Sequence, residues 1–191
     1  MWQWVRNTVG SEPVALCRTN DLLQHCASFG VGKLAKSEAV LLAQLLEKGG
    51  YGIEPDVRFG GVPLAPGGTV VLFRLSPGAA PIASPEYAGA TVLLHLAVAI
   101  SAADGTISPA EEAHLEEHLQ RSLIASEGER IRLRAHLAWL MKSPPTLTGL
   151  RKRLDPLDQR QRTDIADFII GVAGADGQIS PNDVSAGDRS L

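Results

Sequence analysis

The sequence has few cysteines, little excess charge and no long apolar run. Cys17 and Cys26 are the only two cysteines, too few for a disulfide scaffold or a thiolate metal site, and such usage favours the reducing cytoplasm. A net charge of −3 gives no strong signal for nucleic acid or an anionic membrane. The most apolar stretch, residues 88–100, is interrupted by His95 and is shorter than the roughly 20 residues of a membrane span. We therefore expect a cytoplasmic protein without a membrane span.

The composition indicates a globular protein of ordinary polarity. Apolar residues make up 45% of the chain and charged residues 20%, which excludes wholesale disorder. A chain of 191 residues can bury one sizeable core. Residues 1–6 lack the basic start and the continuous apolar stretch of a signal peptide.

The first clear helical pattern runs from Ser37 to Lys48. Ser37 is a suitable N-cap, and Gly49-Gly50 is a typical helix end. The apolar residues of this segment share one helical face: Val40, Leu41, Leu45 and Leu46. The preceding residues, 1–35, are predicted to be a poorly defined N-terminal extension because they have no sustained period.

Two short segments within this extension do show local secondary-structure signals. Thr19-Asn20-Asp21 is typical of the start of a short helix, which continues through Leu22 and Leu23. Trp2 and Trp4 alternate with polar residues, which favours a short strand or a lid.

Two apolar segments predict a β-hairpin inserted at about residues 51–76. They are Val57–Leu64 and Thr69–Leu75, and they flank Pro66-Gly67-Gly68. The proline-containing segment Ser76–Glu86 predicts an irregular connector.

From about Tyr87 onward the chain is almost wholly helical in pattern. Leucines recur at helical spacing in Pro109–Leu123 and in Glu129–Met141. The predicted fold class is therefore mainly α, a helical bundle with an inserted β-hairpin.

One phrase occurs twice in the helical region. Ala-Asp-Gly-Thr-Ile-Ser-Pro at Ala103–Pro109 returns as Ala-Asp-Gly-Gln-Ile-Ser-Pro at Ala175–Pro181, 72 positions later. With this offset, four apolar positions of the preceding helix coincide: Leu93 with Ile165, Leu96 with Phe168, Ala97 with Ile169 and Ile100 with Val172. Loop and helix together predict two related helix–loop–helix halves.

Each copy of the loop carries two carboxylates, Asp104 and Glu111 in the first and Asp176 and Asp183 in the second. Asp-Gly-x-Ile-x-x-x-Glu matches the back half of an EF-hand loop, whose oxygen ligands hold a hard divalent cation. The front half is missing, so a complete EF-hand is excluded. Two half-sites, shared or completed by water and backbone carbonyls, favour Ca²⁺, Mg²⁺ or Mn²⁺ over Zn²⁺.

Helix capping offers an alternative that needs no metal. Ser108-Pro-Ala-Glu111 is a capping-box pattern, and Ser180-Pro-Asn-Asp183 is a weaker version of it. Capping accounts for Glu111 and Asp183 but leaves Asp104 and Asp176 unexplained, apart from the turn-forming tendency of Asp-Gly.

The arrangement of helix, Ala-Ala-Asp-Gly-Thr-Ile-Ser-Pro-Ala-Glu and helix resembles the signature of TerB-like domains, the tellurite-resistance family. The resemblance covers roughly Ser37–Asp183, interrupted by the hairpin, which is similar to an insertion in larger multidomain relatives. It implies an all-α fold of two related halves with acidic loops that bind a divalent metal. The implied ligands are Asp104, Glu111, Asp176 and Asp183, the last in place of the usual Glu.

The resemblance implies a non-enzymatic metal-binding module of a bacterial stress-response or defence system. The tail, residues 184–191, is too short to match the helix that follows the first loop. We therefore expect a fragment of a longer protein, with another protein or further domains of the same chain as partners. A structural interaction module, in which the acids only cap helices, and a metal-dependent hydrolase remain as alternatives.

Other chemistry-bearing residues are interpreted as packing or surface positions. His114 and His118 share a helical face but have no third ligand, and His95 and His136 are interpreted in the same way. Residues 130–162 are locally basic. The alternation of Arg130, Arg132 and Arg134 indicates solvated helical faces, and a weak phosphate- or partner-binding patch is the alternative.

Overall fold

The computed structural model describes residues 1–26, 29–30, 32–99 and 126–145, the backbone of residues 100–103, and the isolated residues 113, 117, 159 and 163. The helices are α1 (Trp2–Val9), α2 (Thr19–Gln24), α3 (Lys36–Lys48), α4 (Pro85–Ala103) and α5 (Glu127–Lys142), with a 3-10 helix at Val57–Phe59. The strands are β1 (Val14–Arg18), β2 (Tyr51–Glu54) and β3 (Thr69–Arg74). The described protein is therefore rich in helix, with one small antiparallel sheet.

The chain divides into two compact units. The first contains Met1–Thr91 and Ser122–Ser143, and the second contains Val92–Arg121 and Pro144–Leu191. Of the second unit, the structure describes mainly the later part of α4, where Leu94, Ala97 and Val98 are buried. His95 is also buried there, which agrees with its interpretation as a packing residue. None of the helices in the described part of the chain combines the length and apolarity needed to cross a bilayer.

The sheet of the first unit has the order β1-β3-β2, and both pairings are antiparallel. Alternate residues of β3 face opposite sides. Val70 and Leu72 pack into a core with residues of α1, α2 and α3. Val71 and Phe73 are buried as well, and α5 packs against β3, where the indole Nε1 of Trp139 donates to the carbonyl of Thr69 at 3.1 Å. Helices cover both faces of β3, and this explains why its buried residues form a continuous apolar run.

The predicted hairpin is correct in its second strand and wrong in its first. Residues 57–59 form a 3-10 helix, which the Asp56 side chain caps by accepting from the backbone N–H of Arg58. Gly60 then adopts a left-handed conformation with φ 80°, which glycine reaches without strain. β3 pairs instead with β2 and with β1, a strand that the sequence analysis placed in the undefined extension.

The N-terminal segment also differs from its prediction. Trp2 and Trp4 lie in helix α1, whose spacing buries Val5 and Val9 on one face. Helix α3 is confirmed over nearly its predicted range, but it begins after Ala35 instead of Ser37. The Glu38 carboxylate accepts from the Ala35 N–H at 2.7 Å and so satisfies one of the free donors of the helix start.

Candidate functional site

The predicted metal ligands lie outside the described residues. Asp104 directly follows the last described residue of α4, and Glu111, Asp176 and Asp183 are likewise outside, as are His114 and His118. In the part of the chain that the structure does describe, no group of three or more His, Cys, Asp or Glu side chains is placed to hold a metal ion.

The densest polar site among the described residues is a buried group of charges between α5, β2 and the 3-10 helix. We call it the charge cluster, and its members are Glu47, Glu54, Asp56, Arg58, Arg132 and His136. Glu54, Asp56, Arg132 and His136 are each at most 3% exposed. Charged side chains are almost never so buried unless they are paired.

Glu54 is the centre of the charge cluster. One carboxylate oxygen, Oε1, accepts from Arg132 Nη1 at 2.9 Å, and the other, Oε2, lies 2.9 Å from His136 Nδ1. Arg132 Nη1 also lies 3.3 Å from the carbonyl oxygen of Ile53. Arg132 and His136 are four residues apart on α5 and therefore project from the same helical face. Glu54 thus holds α5 at two points against the end of β2.

Arg58 joins the remaining acids of the charge cluster. Its guanidinium donates to both carboxylate oxygens of Glu47, at 2.9 and 2.7 Å, and to both of Asp56, at 3.1 and 2.6 Å. Burial alone would lower the pKa of Arg58, but hydrogen bonds and charges from Glu47 and Asp56 outweigh it and raise the pKa. Asp56 Oδ2 also lies 3.5 Å from Arg132 Nη1, so the two arginines share this acid.

Aromatic rings lie beside Arg132, the buried arginine of α5. The Arg132 guanidinium lies 3.7 Å from the ring centre of Phe59 and 5.2 Å from that of Phe73, a cation–π arrangement. Tyr87 meets Phe59 edge-on at 5.5 Å. The Tyr87 hydroxyl is buried without a hydrogen-bond partner among the described residues. Burial, with the nearby charge of Glu54, raises the pKa of Tyr87 well above its usual value.

The charge cluster is internally satisfied, which indicates a positioning role. Both carboxylate oxygens of Glu54 and of Glu47 are engaged by cationic or imidazole nitrogens. A buried pair of this kind constrains which elements can pack together, because removing one partner leaves an uncompensated charge. The geometry therefore explains how α5 is fixed on the sheet.

The two cysteines offer no activated nucleophile. Cys26 is buried and Cys17 is partly buried. Burial, with a smaller contribution from Asp21, raises the pKa of the Cys17 thiol to about 12, and burial raises the pKa of Cys26 also. Both thiols are therefore protonated at neutral pH, as expected of structural cysteines.

Sequence reasoning missed the charge cluster. Arg132 belongs to the basic segment that was interpreted as a solvated face, and for this residue the interpretation is wrong, because it is 3% exposed. Arg130 and Arg134 are exposed as predicted. A usable signal was present, because Arg132 and His136 have the same helical spacing as the apolar residues that α5 buries.

Comparison with protein-family models assigns the second half of the chain to a family. The model for the tellurite resistance protein TerB matches residues 90–185, just over half of the chain. The chain belongs to the TerB family. Comparisons with curated proteins and with solved structures gave no match.

Family membership confirms the resemblance that the doubled loop carried. The TerB range includes both copies of that loop, with Asp104, Glu111, Asp176 and Asp183. It also includes α5, whereas the whole sheet lies before residue 90. The charge cluster consequently joins side chains of the TerB range to acids that lie before it.

Helix α5 begins with a capping interaction that predicts a pH dependence. Ser126 Oγ accepts from the N–H of Glu129 at 3.2 Å and donates to its carboxylate at 2.9 Å, and the N–H of Ser84 donates to the same carboxylate at 3.2 Å. Burial would raise the pKa of Glu129, but these hydrogen bonds from Ser84 and Ser126 outweigh it and lower the pKa. A lowered folded-state pKa contributes stability above the unfolded pKa and loses it as the pH falls through the folded value.

We therefore expect Glu129→Gln to lower the free energy of unfolding by about 1 kcal/mol at pH 7. The difference from the wild type should shrink as the pH falls below about 4, where the unfolded carboxyl protonates. Urea unfolding at several pH values measures this. Glu127→Gln, an exposed change in the same turn, is the matched control, and a Glu129 difference that is independent of pH contradicts the assignment.

Proposed function

We propose that this TerB-family chain is a non-enzymatic module that binds a divalent cation through its doubled acidic loop. The observation that carries the proposal is the repeat itself, which places Asp104 with Glu111 and Asp176 with Asp183 at the same spacing within the family range. Membership of a family described as a tellurite resistance protein supports a role in bacterial stress response or defence. The proposed location is the cytoplasm.

The proposed organisation is two helix–loop–helix halves, each supplying one acidic loop. Carboxylates are hard oxygen ligands, so Ca²⁺, Mg²⁺ or Mn²⁺ suit the site better than Zn²⁺. Each loop supplies two carboxylates, and backbone carbonyls, water or the other loop would complete the shell. Cation binding then stabilises the folded state by mass action and can bias a surface that meets a protein partner or another domain.

One described feature favours the capping alternative, in which the loop acids only start helices. Ser126 and Glu129 have the same Ser-x-x-Glu spacing as Ser108 and Glu111. In α5 this pair caps the helix. It does not belong to any group of potential metal ligands among the described residues. The test must therefore separate ligation by Asp104 and Asp176 from capping by Ser108 and Ser180.

Calorimetric titration of the metal-free protein with Ca²⁺, Mg²⁺, Mn²⁺ and Zn²⁺ provides this test. We expect heat of binding and a raised melting temperature with at least one of the first three ions. The double variant Asp104→Asn with Asp176→Asn should abolish both effects, because an amide is a weaker ligand than a carboxylate.

Two control variants complete the experiment. Ser108→Ala with Ser180→Ala removes the caps and should cost about 1 kcal/mol of stability for each helix while leaving the heat of binding. Glu12→Gln with Glu127→Gln removes two exposed acids elsewhere and should change neither quantity. The capping alternative is correct if the wild type gives no heat and no change in melting temperature.

A further inference from the structure

A pocket opens between α1, α3 and the start of β2, within the first unit and before the TerB range. Its volume is about 420 Å³, within the roughly 300–1,000 Å³ of small-molecule sites. It is lined by Trp2, Arg6, Leu45, Lys48, Gly49 and Tyr51. Neither the charge cluster nor the doubled loop contributes to this lining.

An indole ring forms one wall of the pocket. The Trp2 ring lies directly against the backbone of Gly49, and a β-carbon at position 49 would overlap the ring. Glycine at the end of α3 therefore allows the ring to lie there. Tyr51 and Leu45 add further apolar surface, and Trp2 remains partly exposed. The pocket thus offers a flat aromatic surface that solvent can reach.

Two uncompensated cations border the same pocket. Arg6 and Lys48 are exposed, and neither has a carboxylate within ion-pair distance among the described residues, unlike Arg58 and Arg132. Glu47, the acid next to Lys48 in the chain, is already held by Arg58. The partial negative charge at the end of α3 is about half a unit, less than the two full positive charges. The electrostatic preference of this pocket is consequently for an anion.

A neighbouring cavity in the described part of the chain lacks the second cation. That cavity has a volume of about 640 Å³ and is lined by Phe29, Leu41, Gln44, Leu45, Glu47 and Lys48. Its lining contains one cation, Lys48, where the pocket beside Trp2 has two, and it also contains Glu47, so its preference for an anion is weaker.

We propose that the pocket of Trp2, Arg6 and Lys48 binds a small planar aromatic anion, a ring that carries a carboxylate or phosphate group. The ring stacks on Trp2 and contacts Leu45, where its burial supplies the apolar part of the affinity. The acidic group lies between Arg6 and Lys48, whose charge-assisted hydrogen bonds orient it. An aromatic ring without the acid would contact only the Trp2 wall, and an acid without the ring would contact only Arg6 and Lys48.

Titration with AMP and with 2-naphthoate, followed by calorimetry, tests this site and distinguishes a nucleotide from an aromatic carboxylate. We expect at least one of them to bind, more weakly at high salt because exposed charges are screened. Arg6→Gln with Lys48→Gln should weaken binding about tenfold, since each exposed charge contributes modestly. The control Lys33→Gln with Lys36→Gln removes two exposed cations near the other end of α3, roughly 18 Å from Lys48, and should leave the affinity unchanged.

A second pair of variants tests the aromatic wall. Trp2→Ala removes the ring, and Gly49→Ala displaces it; both should weaken binding of AMP or 2-naphthoate, and thermal melting will show that each variant is folded. The proposal is overturned if neither compound binds at millimolar concentration or if the Arg6 and Lys48 variant binds as tightly as the wild type. Where AMP binds, it is also overturned if adenosine or inorganic phosphate binds as tightly as AMP.

Discussion

Replacing Glu54 by alanine is expected to lower the free energy of unfolding by about 3–5 kcal/mol, the usual cost of removing one partner from a buried ion pair. The change leaves Arg132 and His136 buried without the carboxylate that accepts from both, at 2.9 Å each. Among the described residues, Arg132 then retains the more distant acids Asp56, at 3.5 Å, and Glu47, at 4.0 Å. A loss of this size is a large part of the stability of an ordinary domain.

Urea unfolding of a double-mutant cycle measures the interaction. Glu54→Leu with Arg132→Met removes both charges and should cost clearly less than the sum of the single changes, because no unpaired charge remains. Tyr87→Phe is the matched control, since Tyr87 borders the same site but its buried hydroxyl has no partner among the described residues; this change should not destabilise the protein, because it removes a buried polar group that makes no hydrogen bond. Additive losses at Glu54 and Arg132 contradict a coupled pair.

Gly52→Ala is expected to destabilise the sheet by about 1–3 kcal/mol or more, the range of overpacked cores. Gly52 lies opposite Phe73 in the β2–β3 register, and a β-carbon at position 52 would overlap the Phe73 ring. Phe73 is fully buried and also faces the Arg132 guanidinium. The ring therefore cannot move aside without disturbing the charge cluster.

Thermal and urea unfolding measure this effect, and two further variants identify its cause. Phe73→Leu in the Gly52→Ala background should recover part of the lost stability, because the smaller side chain makes room for the added methyl group. Gly89→Ala, in α4 where an added β-carbon meets no atom of the described residues within 4 Å, should instead stabilise by about 0.5–1 kcal/mol. A neutral Gly52→Ala contradicts the steric explanation.

The sequence predicted those elements whose patterns are local. Helix α3 has its apolar residues at helical spacing and is followed by two glycines, and the centre of β3 is an uninterrupted apolar run. β1 and β2 were missed because five- and four-residue segments carry little periodic signal. Their conformation depends on pairing with β3, and such non-local contacts override weak local preference.

The same contrast between local patterns and non-local contacts decides which candidate sites could be predicted. The doubled loop could be recognised because the residues of each copy are consecutive. The family that it indicated is confirmed, and its metal site stays a prediction. The charge cluster could not, because Glu54 and Arg132 are 78 positions apart and neither position reveals its partner. Arg6 and Lys48 likewise line one pocket although they are far apart in the sequence.

The attachment of α5 to β2 determines where the chain can be truncated for expression. A polypeptide trimmed to the boundaries of the family match, residues 90–185, would retain Arg132 and His136 but discard Glu54. It would also lose the Thr69 carbonyl that accepts from Trp139 and the Ser84 N–H that binds Glu129. The boundaries of the family match therefore separate α5 from side chains and backbone groups that it contacts in the first unit, and an expression vector has to encode the sheet if α5 is to keep these partners.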